Sequence, residues 1–162
     1  MSGRISALVA VLIFVLDQAT KELIVRGWQL GESVPVLPGF FSLTYVRNRG
    51  AAFGLMSTLP EGVRVAFFVA FALATVAVLV WMLRSTPRED LLQRMAITWV
   101  IGGAVGNLYD RVRYGEVVDF LDVYLRDWHW PAFNVADSFI SCGVVLLLLG
   151  SLLGRGADEE AS

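Results

Sequence analysis

The sequence predicts an all-α membrane protein with four transmembrane helices and a small β-sheet at the membrane surface. The first observation is composition: 56% of the 162 residues are hydrophobic and only 17% are charged, whereas soluble domains carry about 25% charged residues. The second is a set of apolar stretches, each close to the roughly 20 residues that cross a bilayer as a helix. The third is a segment rich in glycine, proline and β-formers at 28–54. The length predicts a single membrane domain over 1–162.

The first predicted helix covers 5–25. A basic residue followed by a short apolar run also fits a cleaved secretory signal peptide. The helix is favoured because Asp17-Gln18 is a poor cleavage site and apolar residues resume after it. Asp17 and Lys21 are four positions apart, so they share one helical face and are expected to pair. The pair is either purely structural, or it supports a nearby site or binds a lipid headgroup.

The segment 28–54 is predicted to form the surface sheet. Two short runs of β-forming residues, 34–37 and 40–46, lie among glycines and prolines that would interrupt a helix. Their aromatic side chains suit a membrane interface. Asn48 and Gly50 follow in a run of small residues that would let a substrate strand approach, but Asn-x-Gly is also an ordinary turn.

The other predicted helices cover 62–84, 91–108 and 134–153. Small residues near the end of the third, including Gly102 and Gly106, allow close helix packing. Four spans place both termini on one side of the membrane. Lysine and arginine are not concentrated on that side, so the positive-inside rule does not put the termini in the cytoplasm.

Composition also excludes several classes of function. A net charge of -2 leaves no basic surface for nucleic acid. One cysteine and one histidine allow neither an intrachain disulfide nor a zinc site of the usual type. A nucleophilic pair of Cys142 and His129 is formally possible, but Cys142 lies in an apolar helix, where packing is the better interpretation.

Two carboxylates stand among apolar residues: Asp119 in Val-Val-Asp-Phe and Asp137 in Phe-Asn-Val-Ala-Asp. Because a carboxylate near a bilayer is costly, its presence there is a functional hypothesis by default. The third and fourth helices would bring both acids to one face of the membrane. Two crowded carboxylates share one proton, so one can activate water while the other protonates a scissile amide. The pattern predicts an intramembrane aspartic protease.

The remaining polar residues have less specific interpretations. Asp110 and Arg111 are expected to make structural contacts beneath the acid pair, close to Asn107. Asn134 is expected to cap the fourth helix, to orient the acid pair, or both. Asp122 and Asp127 are expected in a solvated loop, and His129 is expected at the surface, in an interfacial belt with Trp128 and Trp130.

Two other functions fit the acids alone. A small proton-coupled transporter would use Asp119 and Asp137 as a relay, and it would show flux without proteolysis. A non-catalytic scaffold protein would tolerate Asp119→Asn, because its function would not depend on an ionisable group at this position. Transporters often show internal repeats, and this sequence shows none.

The ordered polar motifs resemble those of the bacterial lipoprotein signal peptidases (signal peptidase II), from the first predicted helix to the fourth. Five blocks in this order are highly specific, although no single block would be. They are Asp17–Lys21 (DQATK), Asn48–Gly54 (NRGAAFG), Gly102–Arg111 (GGAVGNLYDR), Val117–Phe120 (VVDF) and Phe133–Asp137 (FNVAD).

The resemblance implies an enzyme of the bacterial inner membrane with its active site near the extracytoplasmic face and its termini in the cytoplasm. Its substrates would be diacylglyceryl-modified prolipoproteins, cleaved just before the lipidated cysteine by Asp119 and Asp137. Globomycin-type inhibitors would occupy the same site. Neither a metal nor an organic cofactor is implied, and a monomer is expected. Residues implied to bind substrate or support the site are Asp17, Lys21, Asn48, Gly50, Asn107, Asp110, Arg111 and Asn134.

Overall fold

The structure is a computed structural model that describes residues 1–50 and 60–160, with side chains as far as 152. The motif residues 51–54 lie outside the described part. Long α-helices make up most of the described chain: α1 (Gly3–Gly27), α2 (Glu61–Ser85), α3 (Leu91–Tyr114) and α4 (Val135–Glu160).

The ends of α3 follow from local sequence. The Asp90 side chain accepts a hydrogen bond from the backbone N–H of Gln93, which satisfies one free donor of the first turn. The helix runs past the predicted limit at 108 and ends only at Gly115, whose φ of 73° is the left-handed conformation that closes a helix. The extension carries Asp110 and Arg111 on helical backbone.

Helix α3 lies at the centre of the bundle, in contact with α1, α2 and α4. Its small residues allow the approach. A Cβ atom at Gly102 would lie 2.9 Å from the Ile13 side chain of α1, and one at Gly103 would overlap the carbonyl oxygen of Ala136 in α4. The packing of small residues predicted from the sequence is therefore present, and it brings the start of α4 close to the middle of α3.

A small antiparallel sheet lies beside the helices, as predicted. Its strands are ordered β1 (Ser33–Leu37), β2 (Phe41–Asn48), β3 (Val117–Leu125) and β4 (Trp128–His129). Only the first two come from the predicted segment 28–54.

The second half of the sheet was not predicted. The expectation that Asp122 lies in a solvated loop is wrong, because it is in β3 and only 8% exposed. Strand β3 is stabilised by its pairing with β2, which lies about 75 residues earlier in the chain. In this pairing Val46 lies opposite Asp119. Local sequence pattern does not reveal a pairing of this range.

The exposed surface of the helices is apolar. Large side chains such as Leu12, Phe71, Trp81 and Leu148 are more than half exposed, an arrangement that suits lipid and not water. By length and composition, α2 and the Val135–Leu152 part of α4 could each cross a membrane. These features indicate a membrane protein.

Candidate active site

Asp119 is the third residue of β3, next to the core formed by Ile24, Tyr45, Val118 and Phe120. Its side chain is 2% exposed. The Asn134 side chain donates a 2.7 Å hydrogen bond to Asp119 Oδ1, and the Asn48 side chain donates one of 2.9 Å to Oδ2. Each carboxyl oxygen therefore has one amide donor, and the orientation of the carboxyl group is set from two sides.

Asp137 occupies the third position of α4. Asn134 precedes the helix as its cap, and its Oδ1 accepts a 2.9 Å hydrogen bond from the Asp137 N–H. In return, Asp137 Oδ2 accepts one of 3.3 Å from the Asn134 N–H. This reciprocal arrangement is a capping box, and the partial positive charge of a helix start favours a carboxylate there. The capping role predicted for Asn134 is present.

Asn134 also joins the two acids. Its Nδ2 donates to Asp119, while its Oδ1 and backbone N–H bond to Asp137. Burial raises the pKa of the Asp119 carboxyl, and the nearby charge of Asp137 raises it further, to about 7. The hydrogen bonds from Asn48 and Asn134 lower that pKa, because they stabilise the ionised form. The structure thus brings together the two acids singled out in the sequence.

Asn107 connects the pair of Asp119 and Asp137 to a buried charged cluster formed by Asp17, Lys21 and Asp110. Its Nδ2 donates a 2.7 Å hydrogen bond to Asp137 Oδ1. Its Oδ1 accepts hydrogen bonds of 3.0 Å from Lys21 Nζ and 3.2 Å from Asn134 Nδ2. Because the lysine can only donate, it fixes which end of the Asn107 amide faces Asp137.

Lys21 is the centre of the cluster and is 2% exposed. Its ammonium lies 2.8 Å from Asp17 and 2.9 Å from Asp110. With the bond to Asn107, all three ammonium hydrogens have an acceptor. The Asp17–Lys21 pair expected from the helical spacing is present, whereas Asp110, on α3, is a partner that the spacing does not indicate.

The two carboxylates of the cluster hold the backbone next to the acid pair. Asp17 Oδ1 accepts a 2.9 Å hydrogen bond from the N–H of Ala136, which precedes Asp137. Asp110 Oδ2 accepts one of 3.1 Å from the N–H of Val118, which precedes Asp119. One buried cluster on α1 and α3 thus positions α4 and β3.

Sequence reasoning missed the role of Gln18. Its Nε2 lies within hydrogen-bond distance of Asp17 Oδ2, Asp110 Oδ1 and the carbonyl of Gly106, at 2.9 to 3.2 Å. It thereby links the same two carboxylates that pair with Lys21. The signal was its place inside the polar block Asp17–Lys21, in a helix that is otherwise apolar.

The family model for signal peptidase II (SPase II) matches residues 9–153, which is most of the chain. The chain belongs to the signal peptidase II family. Members of this family remove signal peptides from prolipoproteins.

Individual members are similar over nearly their whole length. The lipoprotein signal peptidase of Syntrophotalea carbinolica is 53% identical over 146 residues, covering 90% of this chain and 89% of that protein. The lipoprotein signal peptidase of Geobacter metallireducens is 49% identical with the same coverage. The resemblance drawn from the motifs is therefore confirmed.

Two solved structures, each described as a bacterial membrane enzyme, share the fold. One, solved by the in meso method at 2.3 Å, is 35% identical with a TM-score of 0.83, covering 94% of this chain and 90% of its own. The other, solved at 1.9 Å, is 36% identical with a TM-score of 0.81, covering 93% and 94%.

In this signal peptidase II, the side chains of Arg111 and Asp110 have different partners although the residues are adjacent in sequence. The Arg111 guanidinium is 5.2 Å from the centre of the Phe68 ring, and it donates only to the Asn107 carbonyl, at 3.3 Å, within the described residues. Asp110 points instead to Lys21, because neighbouring positions on a helix face different directions. The expectation that these residues make structural contacts holds, but the contacts are separate.

Arg111 and Asn107 line a cavity of about 290 Å³ between α2 and α3. Apart from Thr75, the other lining residues are apolar and include Phe68, Phe71 and Ile140 of α4. Gly50 borders the same region with a φ of 88°, and a Cβ atom there would overlap the Phe68 ring. Glycine is therefore required at this position both by conformation and by space.

His129 is another residue with a role not expected from the sequence. It lies 2.9 Å from Asp122 through Nδ1, and its ring stacks on Tyr124 at 4.7 Å. These contacts link β4 to β3. Among residues 1–50 and 60–160, no group of three or more His, Cys, Asp or Glu could hold a metal ion.

Proposed function

We propose that this signal peptidase II is an aspartic endopeptidase that uses Asp119 and Asp137 as its catalytic pair. The observation that carries the proposal is their shared contact with Asn134, a fully buried residue that bonds to both Asp119 and Asp137. The substrates are diacylglyceryl-modified prolipoproteins, cleaved just before the lipidated cysteine.

Hydrolysis by this pair requires that one carboxyl group is ionised while the other carries a proton. The ionised carboxylate takes a proton from water as the water oxygen bonds to the scissile carbonyl carbon, and the protonated carboxyl donates to the carbonyl oxygen. The first carboxyl then passes the proton from water to the amide nitrogen, which leaves with the C–N bond electrons, while a hydroxyl of the tetrahedral intermediate returns a proton to the second carboxylate as the carbonyl forms again. The products are a new carboxyl end on the signal peptide and a free amino group on the lipidated cysteine. The raised pKa of Asp119 suits proton exchange near neutral pH.

The membrane arrangement is part of the proposal. All four helices cross the bacterial inner membrane, the termini face the cytoplasm, and the sheet lies at the extracytoplasmic face. The apolar outer surface of the helices supports this placement. Within the spans α1 and α3, the buried charged residues Asp17, Lys21 and Asp110 form ion pairs with one another. A membrane can hold them because a paired charge has a much lower free-energy cost there than an isolated one.

The cavity beside Arg111 supports the substrate class. Its apolar walls suit the hydrophobic signal helix or lipid of a prolipoprotein, while Asn107 and Arg111 offer polar groups near the scissile bond. Globomycin-type inhibitors would bind in the same place. The enzyme acts as a monomer in this proposal, since all the site groups come from one chain.

The deciding test is cleavage of a diacylglyceryl-modified prolipoprotein by purified protein in detergent. Wild type, Asp119→Asn and Asp137→Asn are compared, with an unlipidated substrate beside them. Loss of acid–base catalysis predicts a decrease of at least about 10²-fold in each variant. Asp127→Asn is the matched control, because this carboxylate is exposed.

The outcomes separate the hypotheses. Activity that survives either site substitution would remove that residue from the mechanism. Equal cleavage of the unlipidated substrate would overturn the proposed specificity. Folded wild type that cleaves neither substrate would require a proton-flux assay in liposomes.

A further inference from the structure

A second cavity, of about 550 Å³, lies at the other end of the helical bundle. It is bounded by the start of α1, the end of α2 and the start of α3. Its Arg94 and the site residue Asn107 are both on α3, about 20 Å apart along the axis at 1.5 Å per residue. The cavity is therefore separate from the candidate active site.

The lining of this cavity is basic at one end and apolar at the other. Arg84, Arg88 and Arg94 lie where α2 and α3 meet their connecting loop. Ala10, Val80 and Ile101 lie about one to two turns further into the bundle, on α1, α2 and α3. A ligand that fills the cavity must therefore carry negative charge at one end and hydrocarbon at the other.

Arg94 gives the clearest sign of a missing partner. The residue is 5% exposed, and its Nη1 donates to the carbonyls of Leu83 and Thr86 at 2.8 and 2.6 Å. Its buried Nε has no hydrogen-bond partner among the described residues. A buried unpartnered donor on a charged group is costly, and an anionic oxygen in the cavity would remove that cost.

The surrounding charges favour an anion. None of the cavity's arginines forms an ion pair within the described part of the chain. The loop also contains Glu89 and Asp90, but the Asp90 carboxylate accepts from the start of α3.

We propose that this cavity binds an anionic phospholipid. Its phosphate contacts Arg84, Arg88 and Arg94, and an acyl chain lies along the apolar walls towards Ile101. Basic pockets between transmembrane helices on the cytoplasmic side are suited to lipid phosphates, and the proposed orientation puts this end of the bundle in that leaflet. The site is independent of the peptidase chemistry, so its test does not depend on cleavage.

The test measures lipid binding to the delipidated full-length chain in detergent by native mass spectrometry, with thermal unfolding as a second readout. The probes are dioleoyl phosphatidylglycerol, dioleoyl phosphatidylcholine and glycerol phosphate. The variant is the double substitution Arg84→Gln and Arg88→Gln, since both side chains are exposed and neither donates a hydrogen bond within the described residues. The control is Arg26→Gln with Arg126→Gln, which removes the same charge far from the cavity.

Wild type and the control are expected to bind phosphatidylglycerol more tightly than phosphatidylcholine. The double variant should bind phosphatidylglycerol on the order of tenfold more weakly. Unchanged binding by the double variant would overturn the proposal. Equal stabilisation by glycerol phosphate alone would also overturn it, since the ligand would then be a soluble phosphate and not a lipid.

Discussion

Asp17 accepts a 2.9 Å hydrogen bond from the backbone N–H of Ala136, so a carboxylate of α1 holds the residue next to Asp137. Asp110 does the same for Val118, next to Asp119. Both carboxylates bind the ammonium of Lys21. The proposed catalytic pair is therefore positioned by a second pair of acids, with one lysine between them.

Lys21→Met should destabilise the protein strongly. It leaves the buried carboxylates of Asp17 and Asp110 without their counter-charge, and breaking a buried pair from one side costs about 3–5 kcal/mol. Asp17→Asn should cost less, because its amide oxygen can still accept from Ala136 and the Lys21–Asp110 pair remains, although its NH2 group then faces the Lys21 ammonium. Denaturant unfolding in micelles measures the difference.

The control for this comparison is Arg26→Met. Arg26 pairs with Glu22 at 2.8 Å, but its side chain is 77% exposed, and exposed pairs contribute about 0–1 kcal/mol. If Lys21→Met were no worse than Arg26→Met, the cluster would not hold the site together.

Two substitutions of Asn134 should separate its contribution to stability from its contribution to catalysis. Asn134→Ala removes the helix cap, at a cost of about 1 kcal/mol, together with the donor to Asp119. Asn134→Ser keeps a capping acceptor for the Asp137 N–H, but its short hydroxyl cannot also reach Asp119. We expect Asn134→Ser to recover most of the unfolding free energy and little of the kcat.

Unfolding and prolipoprotein cleavage measured on the same preparations decide this prediction. Full activity in Asn134→Ser would mean that capping is the only role of this residue. Equal stability of the alanine and serine variants would argue against the cap.

The parts of the site that follow helical spacing or local motifs were predictable from the sequence. Asp17 and Lys21 pair because they are four apart, and Asn134 caps α4 because it precedes an apolar helix. The contact between Lys21 and Asp110 was not predictable, since it depends on how α1 packs against the glycines of α3. Strand β3 was also missed, because its pairing with β2 is a long-range contact.

The activity should decline as the pH rises through about 7. Asp119 has a pKa of about 7 in the folded protein, and above it this carboxyl has lost the proton that it would donate to the carbonyl oxygen. Asn48→Leu removes a hydrogen bond that lowers this pKa, so its alkaline limb should lie at higher pH than that of wild type. The measurement is kcat against pH for both proteins.

An unchanged alkaline limb in Asn48→Leu would show that another group controls the decline. Val36→Leu serves as the control, because it changes an exposed apolar side chain of β1, a strand that pairs with β2 and not with β3. Its pH profile should match that of wild type even if its overall activity differs.

The same pKa has a consequence for stability. Asp119 binds a proton in the folded state up to about pH 7, whereas in the unfolded chain it ionises near its ordinary value of about 3.9. The folded state therefore holds more protons between these values, and the free energy of unfolding falls as the pH rises through that window. In Asp119→Asn this part of the pH dependence should vanish, and identical slopes in both proteins would contradict it.

Gly106→Ala should be destabilising although alanine is the better helix former. Inside a helix the exchange usually gains about 1 kcal/mol, but a Cβ atom here would lie 2.5 Å from Asp17 Oδ2. The methyl group would push the carboxylate away from Lys21 and from the Ala136 N–H, so unfolding free energy and cleavage should both fall. Gly150→Ala is the matched control, since its Cβ would make only an ordinary 3.5 Å contact with Leu92. If both substitutions were neutral, the contact between α3 and Asp17 would be looser than the structure indicates, and the positioning role of the cluster would lose its geometric basis.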